Sequence, residues 1–140
     1  MSLKIYGIAA SRASRPLWVA HELALAYEHV PVNYQNGGTR TPELLALNPN
    51  GHIPVIDDDG VVVFDSNAIL LYLADREQRF VPGMTQAKER GAALSWLLFI
   101  ASGIHGAETL GPDGLDIAAV TQLLAGAGVS ARWAMADLVW

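Results

Sequence analysis

A chain of 140 residues, 51% hydrophobic and 16% charged, is long enough to bury one core and part of a second. Its net charge of -5 argues against a nucleic-acid-binding face, which needs clustered Lys and Arg rather than a few bases scattered among more numerous acids. With no cysteine in the chain, disulfides, thiolate metal sites and redox chemistry on a protein thiol are all excluded.

Met1 to Tyr6 carries no basic stretch leading into a long apolar run, so no secretory signal is expected and the cytoplasm is the expected location. Leu3-Lys4-Ile5-Tyr6-Gly7-Ile8 alternates as a strand does. Ser11-Arg12-Ala13-Ser14-Arg15-Pro16 then supplies a loop and a helix start, Pro16 suiting a first helical turn, and Leu17, Ala20, His21, Ala24 and Leu25 follow at helical spacing. Tyr27 to Tyr34 reads as a second strand. Gly37-Gly38 and Thr41-Pro42-Glu43 break it and open a short helix ending near Leu47. His52 to Ile56 and Val61 to Phe64 are two short apolar strands around Asp57-Asp58-Asp59-Gly60, whose Asp-Gly step predicts a hairpin. Asp65 or Ser66 can cap the next helix, with Ile69, Leu70, Tyr72 and Leu73 as its apolar stripe. The order βαβ then ββα predicts a thioredoxin-like α/β fold, a four-stranded mixed sheet, because the crossover demands a parallel pair and the hairpin an antiparallel one.

This module is expected to span residues 1–80. Val81-Pro82-Gly83 is the linker, and residues 85–140 are expected to form a partial all-α domain, opened by one long helix from Thr85 to His105. The apolar window Ala92 to Ile104 is too short to cross a bilayer, so a buried helix is expected there and no membrane partner. Ala118 to Leu124 can form a further helix before Gly126 and Gly128.

Two local features carry candidate chemistry. Pro54 at the head of a strand fits a cis Ile53-Pro54 bond that turns the chain and leaves the Ile53 N–H and C=O outward, where an extended peptide can pair as an added strand. A trans proline that blunts an edge strand is the competing reading. Asp65-Ser66 stands where a strand passes into a helix, so the helix N-terminus and the Ser66 hydroxyl suit a carboxylate while the Asp65 carboxylate suits an ammonium; an ordinary N-cap is the simpler account. Taken jointly, a peptide-pairing edge and an amino-acid clamp suit a short peptide with a free α-amino-acid end. Glutathione is such a peptide.

Ile5-Tyr6-Gly7, Ser11-Arg12-Ala13-Ser14-Arg15, Asn48-Pro49-Asn50-Gly51-His52-Ile53-Pro54 and Asp65-Ser66 with the helix Asn67 to Asp75 resemble the N-terminal domain of cytosolic glutathione S-transferases. That resemblance implies glutathione as co-substrate, held by the Ile53 backbone beside a cis Pro54 and by Asp65 and Ser66, with His52 where a polar side chain reaches the glycine carboxylate. It also implies a serine hydroxyl that stabilises the glutathione thiolate, the species that acts as nucleophile. Ser11 fits that position best, Ser14 is second and Tyr6 third. The implied reaction is conjugation to a small hydrophobic electrophile. The chain has no cysteine to form a mixed disulfide with glutathione, which disfavours thiol–disulfide exchange.

His21, His29 and His105 have no metal-ligand spacing, and no metal is expected. Trp133 to Leu138 resembles the start of the family's buried sixth helix, but Ala134 stands where a capping Ser or Thr would precede Asp137. With only Thr85 to Trp140 to form the helical domain, a fragment or an abbreviated member is expected, its uncovered apolar helix predicting self-association or marginal stability, and the resemblance implies a homodimer. Two other functions compete: a non-catalytic glutathione-transferase-like interaction module, and glutathione-dependent isomerisation of a small dienoic acid. The Ser-Ser-Cys pattern of the latter is absent.

Overall fold

The computed structural model describes residues 2–104. The expectations for His105, for a helix at Ala118 to Leu124 and for Trp133 to Leu138 lie outside the described residues. The chain divides into two units between Ala87 and Lys88.

In the first unit, strand β1 (Leu3–Tyr6) is followed by helix α1 (Ser14–Glu22) and strand β2 (Tyr27–Val30). A 3-10 turn (Gly38–Arg40) and a short helix α2 (Pro42–Leu47) lead to strands β3 (Val55–Asp58) and β4 (Val61–Phe64) and to helix α3 (Ser66–Arg76). The sheet order is β2-β1-β3-β4. β1 runs parallel to β2, with Leu3 opposite Tyr27 and Ile5 opposite His29, and antiparallel to β3, with Ile5 opposite Ile56. β3 and β4 form the antiparallel hairpin, turning through Asp59 and Gly60, both at positive φ (51° and 92°). Positive φ at both central residues is what a two-residue hairpin turn with the twist of its strands requires. This is the thioredoxin-like four-stranded mixed sheet.

The strands are shorter than the apolar runs that announce them, for a local reason. β2 ends at Val30 rather than Tyr34 because Pro31 has no N–H to continue a ladder, and β3 starts at Val55 rather than His52 because Pro54 lacks one too. β1 likewise ends at Tyr6, where Gly7 turns the chain with φ 135°. The Ile53-Pro54 bond is cis.

Ile5 and Ile56 from the sheet, Val19 from α1, and Ile69 and Leu73 from α3 have almost no exposed surface. Burying such a side chain contributes about 1.5–3 kcal/mol each, so the core of this unit lies where α1 and α3 pack side by side against β1 and β3.

Helix α4 (Ala87–Phe99) continues into one π-helical turn (Ile100–Ile104). None of the α4 residues is buried, and Leu98 and Phe99 are exposed. The buried helix expected from the apolar run is therefore not found: apolar residues such as Ala92, Leu94, Trp96 and Leu98 are spread around the helix and form no single stripe that one surface could cover. Among the described residues, no helix is long and apolar enough to cross a membrane.

Candidate functional site

Two segments distant in sequence meet beside Gly7, and a third joins them through Arg15. A Cβ at this glycine would lie 2.5 Å from the Ala13 Cβ and 3.4 Å from Ile53, so the loop between β1 and α1 and the loop before β3 touch across a residue with no side chain. Gly7 is itself fixed by the sheet: its N–H donates to the Val30 carbonyl at 3.0 Å, and its carbonyl accepts from His29 Nε2 at 2.7 Å. His29 thus acts as a prop for the loop. The third segment, the start of α3, joins through the buried Arg15, whose Nη1 donates to Ser66 Oγ at 3.0 Å.

The loop before β3 is held from within. Asn48, 2% exposed, donates through Nδ2 to the His52 carbonyl at 2.9 Å and accepts at Oδ1 from the backbone N–H and the side-chain amide of Asn50. Gly51 takes φ 64°, and a Cβ there would lie 2.7 Å from Arg40 Nη1, so the exposed Arg40 guanidinium lies against the turn one residue before His52. His52 is exposed, Ile53 half-buried and Pro54 buried. Among the described residues, neither the N–H nor the C=O of Ile53 makes a hydrogen bond.

At the α3 N-terminus, Asp65 has φ 72° and ψ 126°, outside the regions a non-glycine residue prefers, and its Oδ1 accepts from the N–H groups of Asn67 (2.9 Å) and Ala68 (3.3 Å). The N-cap reading is therefore correct for Asp65. It does not exhaust the carboxylate, since Oδ2 accepts no hydrogen bond among the described residues.

The two serine candidates differ. Ser11 Oγ donates to the Ile8 carbonyl at 2.6 Å and accepts from the Ala13 N–H at 3.1 Å, so its proton is committed within the loop. Ser14 opens α1, a helix that no side chain caps: Ala13 occupies the cap position, and the Ser14 N–H donates to the Ser11 carbonyl. Its own hydroxyl has no partner among the described residues. Tyr6, the third candidate, is half-buried at the end of β1.

A polar cluster at the other end of α3 fixes that helix on the sheet. The Asp58 carboxylate, 8% exposed at the end of β3, accepts from the Tyr72 hydroxyl at 2.8 Å and from Arg76 Nη1 at 2.7 Å. Burial pushes the Asp58 pKa up, but the hydrogen bonds from Arg76 and Tyr72 outweigh it and hold the carboxyl below its ordinary range. Burial and the same Asp58 contact raise the Tyr72 phenol. Among the described residues, no three His, Asp or Glu side chains cluster as metal ligands would.

The model of the glutathione S-transferase N-terminal domain matches residues 1–75. The chain belongs to the glutathione S-transferase family. It is 36% identical over 121 residues to glutathione S-transferase hmp2 of Hypomyces subiculosus, covering 81% of this chain and 55% of that one. With glutathione S-transferase F9 of Arabidopsis thaliana it shares 31% over 107 residues, 75% of this chain and 50% of the relative. Among solved structures, a glutathione transferase family member from Pseudomonas fluorescens, with two glutathione bound, superimposes with TM-score 0.69 at 28% identity, over 75% of this chain and 48% of the other. Glutathione transferase F7 of Populus trichocarpa does so with TM-score 0.63 at 33% identity, over 71% of this chain and 48% of that one. The chain thus spans about half the length of these relatives.

Arg15, Arg40 and Asn48 have no role that the sequence alone assigns. Arg15 and Ser66 are 51 residues apart, and nothing in local spacing announces a contact made only when two helices pack. For Asn48 a local signal existed: Asn-Pro-Asn-Gly is a turn composition in which Asn side chains bond to nearby backbone.

Proposed function

We propose that this chain is a glutathione transferase that conjugates the glutathione thiolate to small hydrophobic electrophiles, with residues 1–80 as the glutathione-binding domain and residues 85–140 as a partial all-helical domain. Two contacts support this reading: Gly7 brings the serine loop at Ala13 against Ile53, whose backbone N–H and C=O make no hydrogen bond among the described residues, and Arg15 joins that loop to Ser66 at the α3 N-terminus. In it, the cysteinyl backbone of glutathione pairs with the Ile53 N–H and C=O, as an added strand does. The γ-glutamyl carboxylate meets the Ser66 hydroxyl and the α3 N-terminus, and its ammonium meets Asp65 Oδ2. The glycine carboxylate lies toward His52 and the Arg40 guanidinium. Two relatives in solved structures, from Pseudomonas fluorescens and Drosophila mojavensis, are described with glutathione bound, which supports the same ligand here.

Activation of the sulfur is a problem of acidity. A free thiol has a pKa of about 8.5, and lowering it by about two units needs roughly 2.7 kcal/mol of preference for the thiolate. A serine O–H donated to the sulfur, reinforced by the N-terminus of α1, supplies stabilisation of that size. The serine solvates the anion and takes no proton from it. Ser11 is the assigned donor: its proton turns from the Ile8 carbonyl to the sulfur when glutathione arrives, leaving that carbonyl to water. The unengaged hydroxyl of Ser14 makes it the competing donor. Turnover of a chromogenic electrophile decides the matter: Ser11→Ala should lose most of kcat while keeping most glutathione affinity, with Ser14→Ala close to the parent. Full activity in Ser11→Ala would overturn the assignment.

The commitment of the Ser11 proton to its own loop favours one other reading, a non-catalytic glutathione-binding interaction module. It predicts a folded chain that binds glutathione and conjugates nothing. The exposed Leu98 and Phe99 support self-association as a homodimer in either case.

A further inference from the structure

Asn-Gly occurs twice in the chain, at Asn36-Gly37 and at Asn50-Gly51. Both glycines take positive φ, 81° and 64°. The pair invites a covalent reaction: the main-chain nitrogen after an asparagine can attack the side-chain amide carbon, and glycine, with no Cβ, leaves that approach open. The two steps are held in opposite ways. At Asn50 both reacting groups are engaged. The Gly51 N–H donates to the Asn48 carbonyl at 2.9 Å, and the Asn50 side-chain amide donates to Asn48 Oδ1 at 3.1 Å. Gly51 and Asn48 are buried, so releasing these bonds leaves polar groups unsatisfied in the interior.

At Asn36 nothing comparable restrains the groups. Asn36 and Gly37 are exposed, and a Cβ at Gly37 would meet nothing within 4 Å. Among the described residues, neither the Gly37 N–H nor Asn36 Nδ2 makes a hydrogen bond. The bond that the side chain does make promotes attack: the Gly38 N–H donates to Asn36 Oδ1 at 3.1 Å, where negative charge develops as a nitrogen adds to the amide carbon.

We propose that Asn36 is a site of spontaneous deamidation and that the fold protects Asn50 from the same reaction. The Gly37 nitrogen, its proton passing to solvent, bonds to Asn36 Cγ; the Cγ–Nδ2 bond breaks and the amide leaves as ammonia. Water then opens the succinimide at either carbonyl, giving aspartate or the β-linked isoaspartate. Either product adds a negative charge to the loop before the 3-10 turn that carries Arg40, and the β-linked one also lengthens the main chain there by a methylene. This inference is independent of the glutathione reading.

The test incubates the 140-residue chain in mildly alkaline buffer, folded and in guanidinium chloride, and follows the conversion of amide to acid by mass spectrometry. Trypsin places Asn36 in the peptide 13–40 and Asn50 in the peptide 41–76, and fragmentation assigns the converted residue. In the folded chain Asn36 should convert about tenfold or more faster than Asn50, the effect of two hydrogen bonds that only Asn50 and Gly51 must break. In denaturant the two rates should come within about threefold of each other, because both steps are Asn-Gly and neither is then held by the fold. Conversion of Asn50 in the folded chain as fast as that of Asn36 would overturn the proposal. So would an intact Asn36 in the folded chain over the time in which the denatured chain converts both, or a rate ratio that denaturant leaves unchanged.

Discussion

Adding one methyl group at Gly7 tests whether the two loops that meet there are held as tightly as their contact implies. In Gly7→Ala the new Cβ would fall 2.5 Å from the Ala13 Cβ, a separation carbon atoms do not tolerate, and 3.4 Å from two atoms of Ile53. Neither neighbour is the free end of a flexible side chain: Ala13 has only its Cβ to move, and it adjoins the helical turn that carries Ser14 and Arg15. Overpacking of this kind costs about 1–3 kcal/mol, and holding an alanine at φ 135° adds about 1–3 kcal/mol more. The sum, about 2–6 kcal/mol, is a large part of the roughly 5–15 kcal/mol that stabilises an ordinary domain. Urea unfolding followed by circular dichroism should show the midpoint lowered by about 1 M or more, at an m-value of about 1–3 kcal/mol/M. Any variant that remains folded should bind glutathione more weakly, because relief of the clash moves Ala13 away from Ile53. A stability change within about 0.5 kcal/mol, the range of ordinary surface substitutions, would refute the claim of close contact.

Asp58→Asn should change how stability responds to acid. The Asp58 pKa is lower in the folded chain than in the unfolded one, so its contribution is fully present above the unfolded value of about 3.9 and is lost as pH falls through the folded value. The parent should therefore lose stability across that acidic window more steeply than the variant, in urea midpoints measured from neutral pH downward; parallel profiles would contradict the assignment. Asp65→Ala removes both a helix cap and the proposed ammonium partner. It should lower stability by about 0.5–2 kcal/mol and weaken glutathione binding, whereas Asp65→Asn should retain most of the cap and still bind poorly, as a urea titration and a binding isotherm on each variant will show.

The fold was legible because its signals are local. The Asp59-Gly60 turn fixes an antiparallel neighbour, and the helical spacing from Leu17 to Leu25 between two apolar runs fixes a crossover. The strand ends were less legible, since an apolar run continues past the point where Pro31 or Pro54 interrupts the hydrogen-bond ladder. At the site, Ile53, Pro54, Asp65 and Ser66 could be named because turn and cap chemistry leave a trace in neighbouring residues. The Arg15–Ser66 bond and the seat of Arg40 on Gly51 depend on contacts between distant segments and left none. The serine loop falls between these cases: its position was readable, but the bond from Ser11 to the Ile8 carbonyl depends on a hydroxyl orientation that only three-dimensional geometry supplies.

The central claim is that this chain holds glutathione between Ile53 and the α3 N-terminus, and calorimetric titration of the chain with glutathione tests it most directly. The account predicts saturable binding of one peptide per chain, lost or strongly weakened in Ser66→Ala while circular dichroism remains that of the parent. A well-folded parent that gives no binding heat at several temperatures, or binding that Ser66→Ala leaves unchanged, would contradict it.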